Sequence, residues 1–158
     1  MKRSENRILT THVGSLVRSQ AAIDAVRNHD QKKLEAEVTD IVARQAKAGI
    51  DVVNDGEYGK SGWANYILAR LSGFESRPDK MYEAVWVGRD RIRFSEFMKE
   101  QFPRAVTGSP GHACVGPITY TGQDAIRGNI AALKAALDKT KVEDVFFTAV
   151  APASVGYD

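Results

Sequence analysis

The chain has a single cysteine, Cys114, among 158 residues. That excludes an internal disulfide framework and suits a reducing compartment. No long apolar run is present that could span a bilayer. The opening Met1-Lys-Arg-Ser-Glu-Asn-Arg7 is basic but has no apolar stretch behind it, unlike a secretory signal. Net charge is only +2, too small for a general attraction to nucleic acid or anionic lipid. There is no sequence repeat and no low-complexity tract. The expected setting is cytoplasmic, with neither nucleic acid nor membrane as a partner. What is there is a globular balance, 43% hydrophobic and 27% charged. That is enough to bury a core and unlike a disordered segment. The length fits one domain.

Polar and apolar residues alternate between two periodicities. Ile8 to Leu16 reads as a strand ending at Gly14-Ser15. A helical region follows from about Gln20 to Ala48, with Leu34, Val38, Ile41 and Val42 on one face and Gly49 placed to end it. Ile50 to Asn54 is a second strand, β-branched as in a sheet covered on both faces. Ser61 is a candidate cap for a helix carrying Trp63, Ile67, Leu71 and Phe74, closed by Gly73 and Pro78. Val85 to Phe94 alternates around Gly88-Arg-Asp90 and reads as a hairpin. Ala113 to Tyr120 holds a third strand, Gln123 to Lys139 a helix with Ile126, Ile130, Leu133 and Leu137 on one stripe, and Val145 to Val150 a fourth strand.

Strands alternating with helices argue for a parallel sheet. A closed eight-stranded barrel takes roughly 250 residues. The fold class expected is therefore α/β: the N-terminal half of a TIM (β/α)8 barrel over residues 1–158. It would carry the first four βα strands and an inserted β-hairpin at about 80–97. An open half-barrel leaves an unpaired strand edge and an uncovered apolar face. Self-association or a missing C-terminal half is the expected remedy.

The chemistry concentrates at two strand ends. Asp51-Val-Val-Asn-Asp-Gly-Glu57 ends a buried strand on two carboxylates, Asp55 and Glu57, and carboxylates do not belong in an apolar core. Ile8-Leu-Thr-Thr-His-Val-Gly-Ser15 ends on an imidazole, a glycine and a hydroxyl. Barrel enzymes build their sites at such strand ends, which makes His12, Ser15, Asp55 and Glu57 candidates. Each has a plainer reading as well. His12 can bond a neighbouring backbone, and Asp55 can cap the helix that follows. The carboxylate pair is not read as an acid/base couple, since no nucleophile with a base beside it is apparent. His112-Ala-Cys114 spells a His-x-Cys pair, but zinc takes about four ligands, or three and water. The plainer reading is a small buried thiol beside a surface histidine. His29 reads as solvated. Arg89, Arg91 and Arg93 read as a solvated basic face rather than a surface for RNA or an acidic tail. Trp63, Tyr66 and Phe74 read as core. Gly108-Ser-Pro-Gly111 lacks the lysine and spacing of a phosphate loop.

Four segments, Thr10-Thr-His-Val-Gly-Ser15, Ala48-Gly-Ile-Asp-Val-Val-Asn-Asp-Gly-Glu57, Leu71-Ser-Gly-Phe74 and Cys114-Val-Gly-Pro-Ile118, come in an order that resembles a known barrel. It is the catalytic barrel of cobalamin-independent methionine synthase and its shorter relatives, in the superfamily of uroporphyrinogen decarboxylase. The resemblance spans nearly the whole chain but only the first half of that barrel. It implies a zinc-dependent methyltransferase that moves a methyl group from a folate donor to a thiol such as homocysteine. It implies that Val13, Gly14 and Ser15 hold the amino-acid part of the acceptor. Glu57 would pair with the acceptor's ammonium, and Ala113 and Cys114 would lie near the folate. The chemistry is consistent, because a carboxylate suits an ammonium, and N–H and hydroxyl donors suit a carboxylate. The chain departs from the family at Val17, where the short relatives carry proline, and at Ala113, where the synthase carries arginine. The family's zinc ligands come from the second half of its barrel, so no catalytic or metal residue is expected within this chain, which alone should be inactive. The partners implied are a small-molecule thiol acceptor and a methyl donor. The alternatives are a thiol alkyl transferase of the epoxyalkane–coenzyme M type and a non-catalytic α/β module that needs a partner chain.

Overall fold

The computed structural model describes residues 2–60, 62–82, 88–101 and 109–152. In chain order the elements are α1 (Gln20–Arg27), α2 (Gln31–Lys47), β1 (Val52–Val53), α3 (Trp63–Leu68), β2 (Phe74–Tyr82), α4 (Arg89–Arg93), α5 (Ser95–Gln101), β3 (Ser109–Cys114), α6 (Gln123–Leu137) and β4 (Asp144–Val145). The fold is mixed α/β, and the described residues form small sheets and no barrel. The chain divides into two compact units. One comprises Met1–Arg70 and Gly122–Val155, the other Leu71–Thr121 and Gly156–Asp158.

In the first unit, Ser19 caps α1 by accepting from the Ala22 N–H, and Asp30 caps α2 by accepting from the Lys33 N–H. The single long helix expected over Gln20–Ala48 is thus two helices. His29 sits at φ 54, the left-handed conformation that ends a helix, and Asp30 starts the next one as a side-chain cap. Gly49 ends α2 at φ 84 as expected. Thr11 bridges Val52 in parallel. On the other side Val52 and Val53 pair in parallel with Asp144 and Val145, so β1 is central. The first and fourth expected strands are realised only as the Thr11 bridge and as Asp144–Val145. Leu34, Val38, Ile41 and Val42 of α2 meet Val53, Leu133 and Ala136 in one core. Val42 is fully buried, and burying such a side chain stabilises by about 1.5–3 kcal/mol.

In the second unit, β2 and β3 pair antiparallel, with Phe74 opposite Cys114 and Arg77 opposite Gly111. A shift of register separates Arg77 from Met81. This corrects three expectations. Phe74 opens a strand rather than closing a helix, Pro78 lies within that strand, and Ala113 and Cys114 lie on an antiparallel partner rather than a parallel strand. Gly73 stands just before β2 in a conformation that suits glycine. Its φ is 87, and a Cβ there would meet the Pro117 carbonyl oxygen at 2.6 Å. The expected hairpin is also corrected in its second arm. Arg89–Arg93 is helical, with the Arg91 N–H donating to the Gly88 carbonyl and the Phe94 N–H to that of Asp90. Arginine favours a helix over an unpaired strand. The first arm, at 85–87, lies outside the described residues, as do Ser61 and Gly108.

Candidate functional site

The site begins with a buried amide. Gln45 of α2 is 3% exposed. It donates to the Asn54 carbonyl at 2.8 Å and accepts from the Asn54 N–H at 3.0 Å. It thereby pairs the backbone N–H and carbonyl of Asn54, just past the end of β1. The same Gln45 Oε1 lies 2.9 Å from His12 Nε2. His12 is therefore tied to a neighbouring side chain, rather than to backbone as its plainer reading had it.

After Asn54 the backbone turns sharply. The Asn54 side chain accepts from the Gly56 N–H, and the Asp55 side chain accepts from the Glu57 N–H at 3.0 Å. Gly56 and Glu57 both adopt positive φ, 64 and 57. For Glu57 that conformation costs about 1–2 kcal/mol, and such strain gathers where the surroundings over-determine a residue. Asp55 closes this turn rather than capping α3. Burial is the main influence on its carboxyl and pushes its pKa up, against the Glu57 N–H and the Lys60 charge, which pull it down.

The first strand end is stitched onto this turn. The Leu16 N–H donates to the Gly56 carbonyl at 3.1 Å, and Tyr58 Oη donates to the Val17 carbonyl at 2.9 Å. Arg18 donates to the carbonyls of Glu57 and Lys60. Gly14, at φ 91, permits the bend that presents Ser15. The Ser15 hydroxyl then donates to Glu57 Oε2 at 2.5 Å. The third parallel segment supplies Thr148, whose hydroxyl donates to Glu57 Oε1 at 2.8 Å. Lys60 lies 3.7 Å from the same oxygen. Burial alone would raise the Glu57 pKa. The hydrogen bonds from Ser15 and Thr148, helped by the Lys60 and Arg18 charges, outweigh it and hold the carboxyl below its usual range. Glu57 keeps 21% of its side chain exposed, so an anionic face remains open to a ligand.

Three segments therefore converge on Glu57. Of the expected residues, Gly14, Ser15, Asp55, Glu57 and His12 fall in this arrangement, while Val13 stands out from it at 90% exposure. Ala113 and Cys114 belong to the second unit. The Cys114 thiol is exposed there, not buried as its plainer reading had it, and it donates weakly to the Gly116 carbonyl. Lys60, Thr148, Arg18 and Gln45 were not singled out from the sequence. Lys60 follows Glu57 by three residues, a spacing that puts two charges within reach, and this signal was available. Thr148 and Gln45 gave none, because the one depends on strand pairing and the other on how α2 packs against β1. Among the described residues no three His, Cys, Asp or Glu side chains converge as a metal would need, and no helix is long and apolar enough to cross a membrane. Compared with known proteins, the chain matches no family model and no curated sequence.

Proposed function

We propose that the first unit holds the amino-acid end of a thiol acceptor in a methyltransferase barrel of the cobalamin-independent methionine synthase type. This chain would form the N-terminal half of that barrel. Glu57 pairs with the acceptor's ammonium, Ser15 orients that carboxylate, and the Val13–Ser15 loop faces the acceptor's carboxylate. The observation that carries the reading is the convergence of Ser15 and Thr148 on an ionised, partly open Glu57. It lies beyond parallel strand ends, where barrel enzymes place their chemistry. In such a barrel zinc would activate the acceptor's own thiol as its thiolate. The described residues do not gather a zinc ligand set; what they would contribute is binding and orientation.

The test is isothermal titration of the 158-residue chain with L-homocysteine and with its desamino analogue. The amino compound should bind, and Glu57→Gln should weaken it by about tenfold or more, the value of a charge-assisted hydrogen bond. Equal binding of the desamino analogue would count against the reading. Binding of 2-mercaptoethanesulfonate that ignores Glu57→Gln would favour the epoxyalkane–coenzyme M type of alkyl transferase instead.

A further inference from the structure

Lys60 is buried, its side chain only 5% exposed, which lysine rarely tolerates without partners. Its ammonium donates to the Thr148 carbonyl at 2.7 Å and also to the Thr148 hydroxyl. The rings of Tyr66 and Phe147 lie with their centres 5.3 and 5.0 Å away, close enough for cation–π attraction. The carboxylate facing it is Glu57, at 3.7 Å.

A hydroxyl has one proton to give and lone pairs to accept with. Lys60 approaches Thr148 Oγ1 as a donor, so that oxygen accepts on its Lys60 side. Its own hydrogen is then directed to Glu57 Oε1. The chain of hydrogen bonds runs one way, from ammonium to hydroxyl to carboxylate, and each bond polarises the next. Ser15 takes the other oxygen. Two further charged groups lie nearby: Arg18 bonds the Glu57 carbonyl and its charge also favours the ionised carboxylate, and Asp55 accepts from the Glu57 N–H and is itself attracted to Lys60.

We propose that Lys60, acting through Thr148, is a positioning residue that fixes the direction and the negative charge of the Glu57 carboxylate, leaving its open face ready for a cationic group. This rests on the reading of Glu57 as the ligand-binding carboxylate, so its test begins without ligand.

The Glu57 side chain is titrated by carbon-detected NMR in the wild-type chain and in Lys60→Met, Lys60→Arg, Thr148→Val and Thr148→Ser. Lys60→Met and Thr148→Val should each raise the Glu57 midpoint by about one pH unit, as expected on losing a close positive charge or a donor to the carboxylate. Lys60→Arg and Thr148→Ser should restore most of it, a recovery that a merely space-filling role would not produce. Should Lys60→Met fail to fold, the Thr148 pair decides the matter with the lysine in place. An unmoved midpoint in folded Lys60→Met or Thr148→Val overturns the proposal. Affinity for L-homocysteine is measured in the same variants and should fall as the midpoint rises. A midpoint that moves while affinity does not would support the positioning role and overturn the ammonium reading of Glu57.

Discussion

Asp51 and Glu57 flank the same short strand, one before β1 and one after it, and they are treated differently. Exposure does not separate them, since the Asp51 side chain is 13% exposed and that of Glu57 is 21%. Their partners do. Asp51 takes both guanidinium nitrogens of Arg7, at 2.6 and 2.5 Å, together with the N–H and hydroxyl of Thr10. That is a saturated latch between the N-terminal segment and the central strand. Glu57 takes two hydroxyls and a more distant ammonium, in a strained backbone conformation. One carboxylate is closed by a paired guanidinium, beside a cavity lined by Lys2, Asp51, Lys141 and Glu143, while the other is held by hydroxyls and keeps part of its side chain exposed.

The largest expected effect comes from the buried amide behind the Glu57 turn. Gln45→Leu removes the amide that serves Asn54 and leaves a buried N–H and carbonyl without partners. It should cost about 2–4 kcal/mol in urea unfolding. Next comes Glu57→Gln. It should lower the affinity for an amino-thiol by about tenfold, with a smaller loss of folding stability than Gln45→Leu because Lys60 keeps its bonds to Thr148.

Asp51→Asn should do the reverse, lowering the melting temperature without altering ligand affinity. Its effect has a defined pH window. The hydrogen bonds from Arg7, then the Thr10 N–H, hold the Asp51 carboxyl well below its ordinary value of 3.8. A depressed carboxyl stabilises the fold above that ordinary value and loses the contribution as pH falls below it. The difference in melting temperature between wild type and Asp51→Asn should therefore be constant at neutral pH and shrink on acidification below 3.8. The smallest effect sharpens the meaning of strain. His29, at φ 54 in the turn between α1 and α2, has no side-chain role in the site. His29→Gly should stabilise the chain by about 0.5–1 kcal/mol, measured by thermal melting. At Glu57 the same relief would remove the carboxylate itself.

Much of this was legible in residue order. Gly49 predicts the end of α2, the β-branched Val52-Val53 pair predicts a buried strand, and the Asn-Asp-Gly-Glu run predicts polar groups where that strand stops. Ser15 and Glu57 were both named as candidates, and they touch. The break at Asn28-His29-Asp30 was missed because apolar periodicity runs through it, although Asp30 is a sound cap signal. Arg89–Arg93 was misread because alternation over a few residues looks alike in a short strand and a short helix when no core face constrains it. Phe74 and Cys114 reveal themselves as antiparallel partners only through a pairing that local patterns do not contain. Lys60 and Thr148, 88 residues apart, meet through the parallel pairing of β1 with β4, which no local spacing announces.

The most direct measurement is an amide-resolved NMR titration of the chain with L-homocysteine at millimolar concentrations. If Glu57 holds the ammonium, shifts concentrate at residues 13–18, 56–60 and 148, with residues 7–10 and 143–144 at the Asp51 end unmoved. Shifts confined to the Asp51 end, or none anywhere, would contradict it.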